Sequence, residues 1–181
     1  MTRELEVKVL NIDLDIIEEK IIRLGGRLIA KEAQVNTLID SLDRPIKSFV
    51  NGYLRIRETK DFLNDNNKIT LTLKKNISKE GLRENIEHNT DIENKEVMLN
   101  ILNDLGYSVV QEGFKERKSY ELMGARLDLD RWDENTYPYP YMEIEVNDLS
   151  DLEKIISLLE IPEENVSTKS IVDLRKDLKL M

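Results

Sequence analysis

The chain has 181 residues, enough for one domain with a well-formed core, and 40% of them are hydrophobic while 35% are charged. The formal net charge of -9 disfavours nonspecific nucleic-acid binding, which needs a basic surface, and the absence of cysteine excludes disulfides, thiolate catalysis and cysteine-bound metals. We expect a cytoplasmic protein that does not enter a membrane, because no apolar signal-peptide stretch opens the sequence and no segment reaches the roughly 20 apolar residues of a membrane helix.

Alternating apolar and polar residues predict eight strands, and apolar residues at helical spacing predict the helices between them. In chain order the predicted elements are strand 2–10, helix 13–26, strands 27–40, 53–60, 69–76 and 81–92, helix 93–106, strands 107–122, 126–132 and 141–147, helix 148–160 and a short final helix 167–180. Ser150 is the expected N-cap of helix 148–160. In helix 93–106, Val97, Ile101, Leu102 and Leu105 form one apolar stripe. Short connections between most strands predict a mainly antiparallel sheet, in a single α+β domain over 1–181 that is mainly β.

Most of the predicted strands have one apolar face and one strongly ionic face, because successive side chains of a strand point to opposite sides. The apolar faces can pack under the helices. The ionic faces must point either to open water or into a shared wet interior. The charged residues on these faces include Glu4, Glu6, Lys8, Arg55, Arg57, Lys74, Glu87, Lys115, Arg117, Asp128, Asp130, Glu143 and Glu145.

The ionic faces are sorted by charge, which a face evolved only for solubility does not explain. Arg55 and Arg57 share one strand face, whereas Glu143 and Glu145 share another. Like charges on neighbouring strands destabilise a sheet unless something neutralises them, and a divalent metal or a polyanion could do so. Eight antiparallel strands can also close into a barrel, which would turn these faces into a charged tunnel. An open sheet with a solvated ionic face remains the alternative at this point.

The order of several short motifs resembles the CYTH superfamily, the triphosphate tunnel metalloenzymes, which include class IV adenylyl cyclases, thiamine triphosphatases and inorganic triphosphatases. The opening "ELEVK" is similar to the family signature E-x-E-x-K. In sequence order the other matching segments are "LRIR", "LTLKK", "FKERKSY", "RLDLDRW", "YMEIEV" and "TKSIVDL". They extend from residue 4 to about residue 174, which is nearly the whole chain.

The resemblance implies an eight-stranded antiparallel closed barrel with flanking helices, and it implies a role for each charged strand. It implies that the acids bind Mg²⁺ or Mn²⁺ and that the bases bind the triphosphate of a small-molecule substrate. The implied metal ligands are Glu4, Glu6, Glu87, Asp128, Asp130, Glu143 and Glu145. The implied triphosphate-binding residues are Lys8, Arg55, Arg57, Lys74, Lys115, Arg117 and Lys169, and the residues closest to the chemistry are Glu4, Glu6, Lys8 and Arg57.

Metal-assisted hydrolysis is the expected reaction, with inorganic triphosphate preferred to nucleoside or thiamine triphosphates. A class IV cyclase, which makes cyclic AMP and pyrophosphate from ATP, would use the same triphosphate site. It is disfavoured because the His-Phe pair that tends to precede the signature in those cyclases does not precede it here. A polyphosphate-binding module without turnover is a further alternative. Trp132 and the tyrosines of "YPYPY" could form a platform for thiamine or could seal the barrel rim. The resemblance is compatible with a homodimer, although no apolar stripe requires one.

Overall fold

Eight antiparallel strands of this chain close into a barrel. The computed structural model describes residues 2–77 and 83–180, and the side chains of 5–77 and 84–180. The elements are β1 (Thr2–Val9), α1 (Leu14–Arg23), β2 (Arg27–Asp40), β3 (Gly52–Asp61), β4 (Asn66–Asn76), β5 (Arg83–Asp91), α2 (Lys95–Asp104), β6 (Ser108–Leu122), β7 (Ala125–Trp132), β8 (Tyr141–Val146), α3 (Leu149–Leu158), β9 (Val166–Ser167) and α4 (Ile171–Asp177).

The barrel is closed by the pairing of β1 with β5. The strand order is β5-β4-β3-β2-β6-β7-β8-β1, and β5 returns to pair with β1, which leaves no free edge in the ring of eight. The two-residue β9 lies alongside the last residues of β1, beyond the stretch that pairs with β5. The expected closed antiparallel barrel with flanking helices is therefore confirmed.

Helices α1 and α3 cover one outer side of the barrel. Ile21 of α1 and Ile155 of α3 are buried in one core with the outward-facing Val7, Leu127 and Ile144 of β1, β7 and β8. Burial of side chains of this size contributes about 1.5–3 kcal/mol each, so this wall is firmly fixed to its helices.

The cap of α3 differs from the sequence prediction. Asp148 caps this helix by accepting a hydrogen bond from the Asp151 amide, so the prediction of Ser150 as the N-cap is wrong. Ser150 lies inside the helix and donates its hydroxyl to Asp148 over 2.7 Å. The carboxylate takes the capping position because it precedes the first helical residue, where a side-chain oxygen can reach the free amides.

Helix α2 contacts the opposite side of the barrel only lightly. It has no fully buried residue, and three members of its apolar stripe face solvent: Val97 is 54% exposed, Ile101 50% and Leu105 68%. Leu102, the fourth member, is partly buried. The helix and its stripe exist as predicted, but the stripe mostly faces away from the barrel. Of the helices in 2–77 and 83–180, none has the length and apolar character that a membrane crossing requires.

One end of the barrel is covered by α4 and by the loop before β8. Tyr137 and Tyr141 pack edge to face with centroids 5.9 Å apart, and both are buried against Leu174 of α4. The Trp132 indole donates a hydrogen bond of 2.8 Å to the Tyr141 hydroxyl. Thr136 of the same loop lies so close to Gly113 of β6 that a Cβ at this position would clash with the threonine side chain. This end is therefore filled with aromatic and apolar side chains.

Candidate functional site

The interior of the barrel is polar and charged, as the alternation in the strands predicts. Lys115 and Arg117 of β6 are 2% and 8% exposed, although Val110 and Phe114 on the other face of that strand are about half exposed. The buried polar residues of the barrel wall include Glu6, Lys8, Gln34, Asn36, Thr72, Lys74, Asn85, Lys115, Arg117, Ser119, Asp128 and Asp130. A carrier barrel for apolar ligands would show the opposite arrangement, so the interior, called the tunnel below, excludes that class.

Arg117 is the centre of an ion-pair network between β6, β7 and β8. Its guanidinium donates two hydrogen bonds of 2.6 Å to Asp130, and it also contacts Asp128 and Glu143, the latter over 2.7 Å. Lys115 reaches the same Asp130 over 2.8 Å. Burial raises the pKa of Asp130, but the charges of Arg117 and Lys115 outweigh this effect and lower it. Asp130 is fully buried and is therefore held ionised among bases.

Two lysines link the first strand to its neighbours. The Lys8 ammonium lies 2.9 Å from Glu143, whose pKa is well below the ordinary value because Lys8 and Arg117 outweigh its burial. Lys74 of β4 lies 3.1 Å from Glu6 and 3.0 Å from Glu87. The pKa of Lys74 is raised, since the charges around it exceed the effect of its burial. These pairs bring Glu6, Glu87, Lys8 and Lys74 to the tunnel wall.

The pairing corrects one step of the sequence reasoning. The basic strand β6 and the acidic strand β7 are neighbours, and Arg117 lies directly across from Asp130 in their register. Opposite charges on the two strands therefore neutralise each other, without a metal or a polyanion. Charge sorting along single strands was visible in the sequence, but the order of the strands around the barrel decides which charges remain unpaired.

Arg55 and Arg57 of β3 are the exceptions to this neutralisation. Within the part of the chain whose side chains are described, neither makes an ion pair: Arg57 donates to the Asn36 amide oxygen over 2.8 Å, and the Nε of Arg55 is buried without a hydrogen-bond partner. Burial, with the charges of Arg55 and Arg117, lowers the pKa of Arg57 to about 9. The charges of Glu87 and Asp130 act on Arg55 and Arg57 respectively from beyond ion-pair distance. The two guanidiniums thus form a cluster of positive charge without a direct counter-ion among the described side chains.

Lys115 lies near these arginines, although it is paired with Asp130. Burial first, and then the charge of Arg117, lower the pKa of Lys115 to about 7, although Asp130 acts in the opposite direction. Its ammonium also lies 5.3 Å from the centre of the Trp132 ring. Two neutral neighbours on β2 carry buried atoms without partners, the amide oxygen of Gln34 and the amide nitrogen of Asn36. Because buried polar groups are nearly always hydrogen-bonded, these orphan atoms point to water or a ligand in the same space.

The acids of the tunnel lie on four neighbouring strands, β7, β8, β1 and β5. Glu6 of β1 is directly opposite Glu145 of β8, and Glu143 of β8 is directly opposite Asp128 of β7. These carboxylates are the hard oxygen donors that Mg²⁺ and Mn²⁺ prefer, so the donor set fits a divalent cation. Among the side chains of 5–77 and 84–180, however, no three carboxylates form a ready-made metal cluster. The side chain of Glu4, a predicted ligand, lies outside the described residues.

Lys169 lies apart from the other predicted site residues, and Arg126 is a residue of the barrel wall that the sequence analysis did not predict. Lys169 lies after β9, outside the barrel wall, and its exposed ammonium pairs with Asp177 of α4 over 2.8 Å. Arg126 of β7 was not predicted, yet it contacts Asp128 over 2.9 Å and the Ser119 hydroxyl over 3.0 Å. Its position two residues before Asp128 was the available signal, since it places both on one face. Of the aromatic residues, Tyr137 and Tyr141 are buried against α4, and Tyr139 is exposed.

The sequence was compared with models of known protein families. The model of the CYTH domain matches residues 2–171. The chain belongs to the CYTH family. A search of curated protein sequences found no match.

Several solved structures share the CYTH barrel with this chain. The PH1819 protein of Pyrococcus horikoshii has a TM-score of 0.77 at 24% identity, covering 97% of this chain and 99% of that one. A Hippeastrum protein has a TM-score of 0.68 at 18% identity, covering 94% of this chain and 91% of that one. It is described as a putative adenylyl cyclase with a dominant triphosphatase activity. A putative adenylate cyclase of Vibrio parahaemolyticus has a TM-score of 0.67 at 15% identity, covering 92% and 94%. At these identities the likenesses establish the fold alone.

Proposed function

We propose that this CYTH domain binds a triphosphate inside its tunnel and hydrolyses it with the help of Mg²⁺ or Mn²⁺, with inorganic triphosphate as the preferred substrate. The observation that carries the proposal is the pair Arg55 and Arg57, which face the tunnel and make no ion pair with any carboxylate of residues 5–77 and 84–180. Charged groups removed from water are costly unless they are paired, so a protein that keeps two such arginines together has a use for them.

The chemistry of these arginines selects the ligand. A guanidinium offers planar, bidentate hydrogen bonding that matches phosphate oxygens, and two of them with Lys115 suit an anion with several charged oxygens. The partly protonated Lys115, with its pKa near 7, becomes fully charged when such an anion approaches. Thr72, across the sheet from Arg55, and the amide of Asn36 add neutral hydrogen-bonding groups.

The remaining tunnel residues orient the substrate and offset its charge. Lys8 lies among the acids and is fixed by Glu143, so it can hold an oxygen of the phosphoryl group that faces them. In hydrolysis water takes up the terminal phosphoryl group and pyrophosphate leaves. Arg55 and Arg57 offset the charge that develops on these two groups, an effect in which one residue typically contributes on the order of 10²–10³ in rate. A covalent nucleophile is not required, and the single histidine, His88, is exposed on β5.

The acids supply the place for a divalent cation. Glu6, Glu143, Glu145 and Asp128, with Glu4 as predicted from the sequence, would hold it. When bound, such a cation polarises a phosphoryl oxygen and lowers the pKa of a bound water. Asp128, Asp130 and Glu143 all contact Arg117, so a cation bound at any of them would compete with that guanidinium.

Cyclisation of ATP is the second candidate reaction. The relatives from Vibrio and Hippeastrum are both described as putative adenylyl cyclases, and the latter also as a triphosphatase. Hydrolysis is favoured by the sequence argument given above. Tyr137, Tyr141 and Leu174 fill the α4 end of the tunnel but leave the opposite opening for an adenosine, so this cluster does not separate the two reactions. The same burial favours a sealing role for these tyrosines over a thiamine platform. Binding without turnover would use the same arginines.

The proposal is tested by incubating the purified protein with tripolyphosphate, ATP or thiamine triphosphate, each with Mg²⁺ and with Mn²⁺, and by measuring phosphate, pyrophosphate and cyclic AMP. We expect phosphate release, fastest from tripolyphosphate, and its loss on removing the cation with a chelator. Cyclic AMP with equimolar pyrophosphate would establish the cyclase instead. Tight binding without any product would establish the binding module. A matched control is Lys176→Gln, which removes an exposed positive charge from α4 outside the tunnel.

A further inference from the structure

Helix α4 carries a third arginine whose charge is not balanced, Arg175. It is 8% exposed, although its neighbour Lys176 is exposed, and no ion pair links it to any carboxylate of the described residues. One Nη donates to the amide oxygen of Gln111, the other lies 3.4 Å from the carbonyl of Leu180, and the Nε is buried with no partner. Asp177, an acid on the same helix, is engaged by Lys169.

Gln111 ties this arginine to the tunnel. It has the same parity on β6 as Lys115 and Arg117, which face inward, and it pairs with Leu38 of β2. Leu38 in turn pairs with Arg55 of β3. Gln111 and Arg55 are therefore two strands apart in one row of the barrel wall, which separates their backbones by roughly 10 Å. Arg175 approaches the same space from α4.

We propose that Arg175 is a further anion-binding residue, which holds the terminal phosphate of the substrate at the end of the tunnel covered by α4. This inference rests on the proposed triphosphate binding and adds a direction to it. Tyr137, Tyr141 and Leu174 fill that end, so they leave no room for a nucleoside beyond the phosphate. The unsubstituted end of the polyphosphate therefore enters first, and any organic group points toward the opposite opening.

The unpartnered Nε indicates that Arg175 serves a purpose other than stabilising the fold. A purely structural residue at this place would be better served by an uncharged side chain, since a buried cation without a counter-ion destabilises the fold. An anion that accepts from the Nε and a free Nη proton would complete its hydrogen bonding. Arg175 and Arg55 would then bind the same phosphate group from two sides of the tunnel, with the amide of Gln111 fixing the orientation of Arg175.

The test measures metal-free binding of tripolyphosphate and of ATP by calorimetry, together with thermal unfolding of the ligand-free proteins. Arg175→Gln should weaken the binding of both ligands by a similar factor, on the order of 10- to 100-fold, because a hydrogen-bonded charge is removed from the phosphate that they share. Its melting temperature without ligand should stay the same or rise. Lys176→Gln, which removes one charge from the next residue of α4, should bind as the wild type does.

Other outcomes separate this inference from the proposed function. If the wild type binds neither ligand, the proposed function fails and this inference fails with it. If the wild type binds but Arg175→Gln binds equally well, or loses affinity for ATP alone, only the role of Arg175 is overturned. A fall in melting temperature that accounts for the lost affinity would make Arg175 structural. Arg175→Lys keeps a positive charge but lacks the paired Nε and Nη donors, and it decides the case if Arg175→Gln does not fold. It should bind both ligands more weakly than the wild type by a similar factor, and wild-type affinity for both ligands would overturn the proposal.

Discussion

Two arginines of the tunnel should respond in opposite ways to the same substitution. Arg57 makes no ion pair with the carboxylates that the structure describes, whereas Arg117 contacts Asp130, Asp128 and Glu143. Methionine preserves much of the length of either side chain and removes the charge. Arg57→Met should therefore stabilise the ligand-free protein, and Arg117→Met should destabilise it.

The magnitudes follow from the burial and pairing of each guanidinium. The fall in the pKa of Arg57 from its ordinary 12.5 to about 9 corresponds to about 5 kcal/mol against the charged form, at about 1.4 kcal/mol per pH unit. Arg57 keeps some contact with solvent and a hydrogen bond to Asn36, so we expect a net gain of about 1–3 kcal/mol for Arg57→Met. Arg117→Met removes the cation that Asp128, Asp130 and Glu143 share. Arg126, Lys115 and Lys8 still contact these carboxylates, but the loss of the central charge should cost about 3–5 kcal/mol.

The assay is chemical denaturation in urea at neutral pH, followed by circular dichroism, on the wild type and both variants without ligand. The same preparations are then titrated with tripolyphosphate, for which Arg57→Met should lose affinity in spite of its greater stability. A loss of unfolding free energy for Arg57→Met similar to that for Arg117→Met would refute the reasoning, because it would mean that Arg57 already has a counter-charge in the free protein.

Three further predictions concern proton binding and packing. Because the free-state pKa of Lys115 is about 7 and a bound anion raises it, the protein takes up a proton when it binds tripolyphosphate above that pH. The dissociation constant should therefore rise by up to about tenfold per pH unit from about pH 7 to 9, and it should rise less in Lys115→Gln. Equal slopes for the two proteins in calorimetric titrations would argue against a titrating lysine at the site. A Cβ on Gly113 would lie 2.4 Å from the Thr136 hydroxyl, so Gly113→Ala should lower the unfolding free energy by about 1–3 kcal/mol. The double variant Gly113→Ala, Thr136→Ala should recover part of this loss, and urea denaturation that finds no recovery would contradict the contact. On the outer wall, hydrogen bonds from Lys118 and Tyr120 lower the pKa of Glu18 by more than burial raises it. The stabilisation by Glu18 is therefore present above its unfolded pKa and is lost as the pH falls through the lower folded value. Glu18→Gln should cost about 1 kcal/mol at pH 7 and little at pH 3, and a cost independent of pH in the same assay would exclude this role.

Much of the fold could be predicted from the sequence because strands have a period of two. The predicted strand over 27–40 has the bounds of β2, and the alternation in the other strands correctly places Lys8, Lys115 and Arg117 on the inner face. The sorting of charge by strand pointed to a shared interior, but it did not separate that interior from an open sheet with a solvated face. Barrel closure needed the family resemblance, since alternation is equally compatible with an open sheet.

The rest depended on contacts between elements that are distant in sequence. Whether the charges of a strand are balanced depends on the strand beside it in the barrel. Only the register shows that Arg117 lies across from Asp130, whereas Arg57 makes no ion pair among the described side chains. The orientation of α2 is similarly undetermined by its pattern, because apolar residues at helical spacing do not show which neighbour they pack against. Arg175 carried no sequence signal, since its burial arises from the position of α4 over the barrel end.

The central claim, that an anion binds between the unpaired bases inside the barrel, is tested most directly by a crystal structure of the protein with tripolyphosphate and Mn²⁺, in which the anomalous signal locates the metal. The account predicts phosphate density inside the barrel, in hydrogen-bonding contact with Arg55 and Arg57, and Mn²⁺ beside Glu6 and Glu145. Tripolyphosphate found only on the outer surface, with Arg55 and Arg57 untouched in a tunnel that holds water alone, would contradict it.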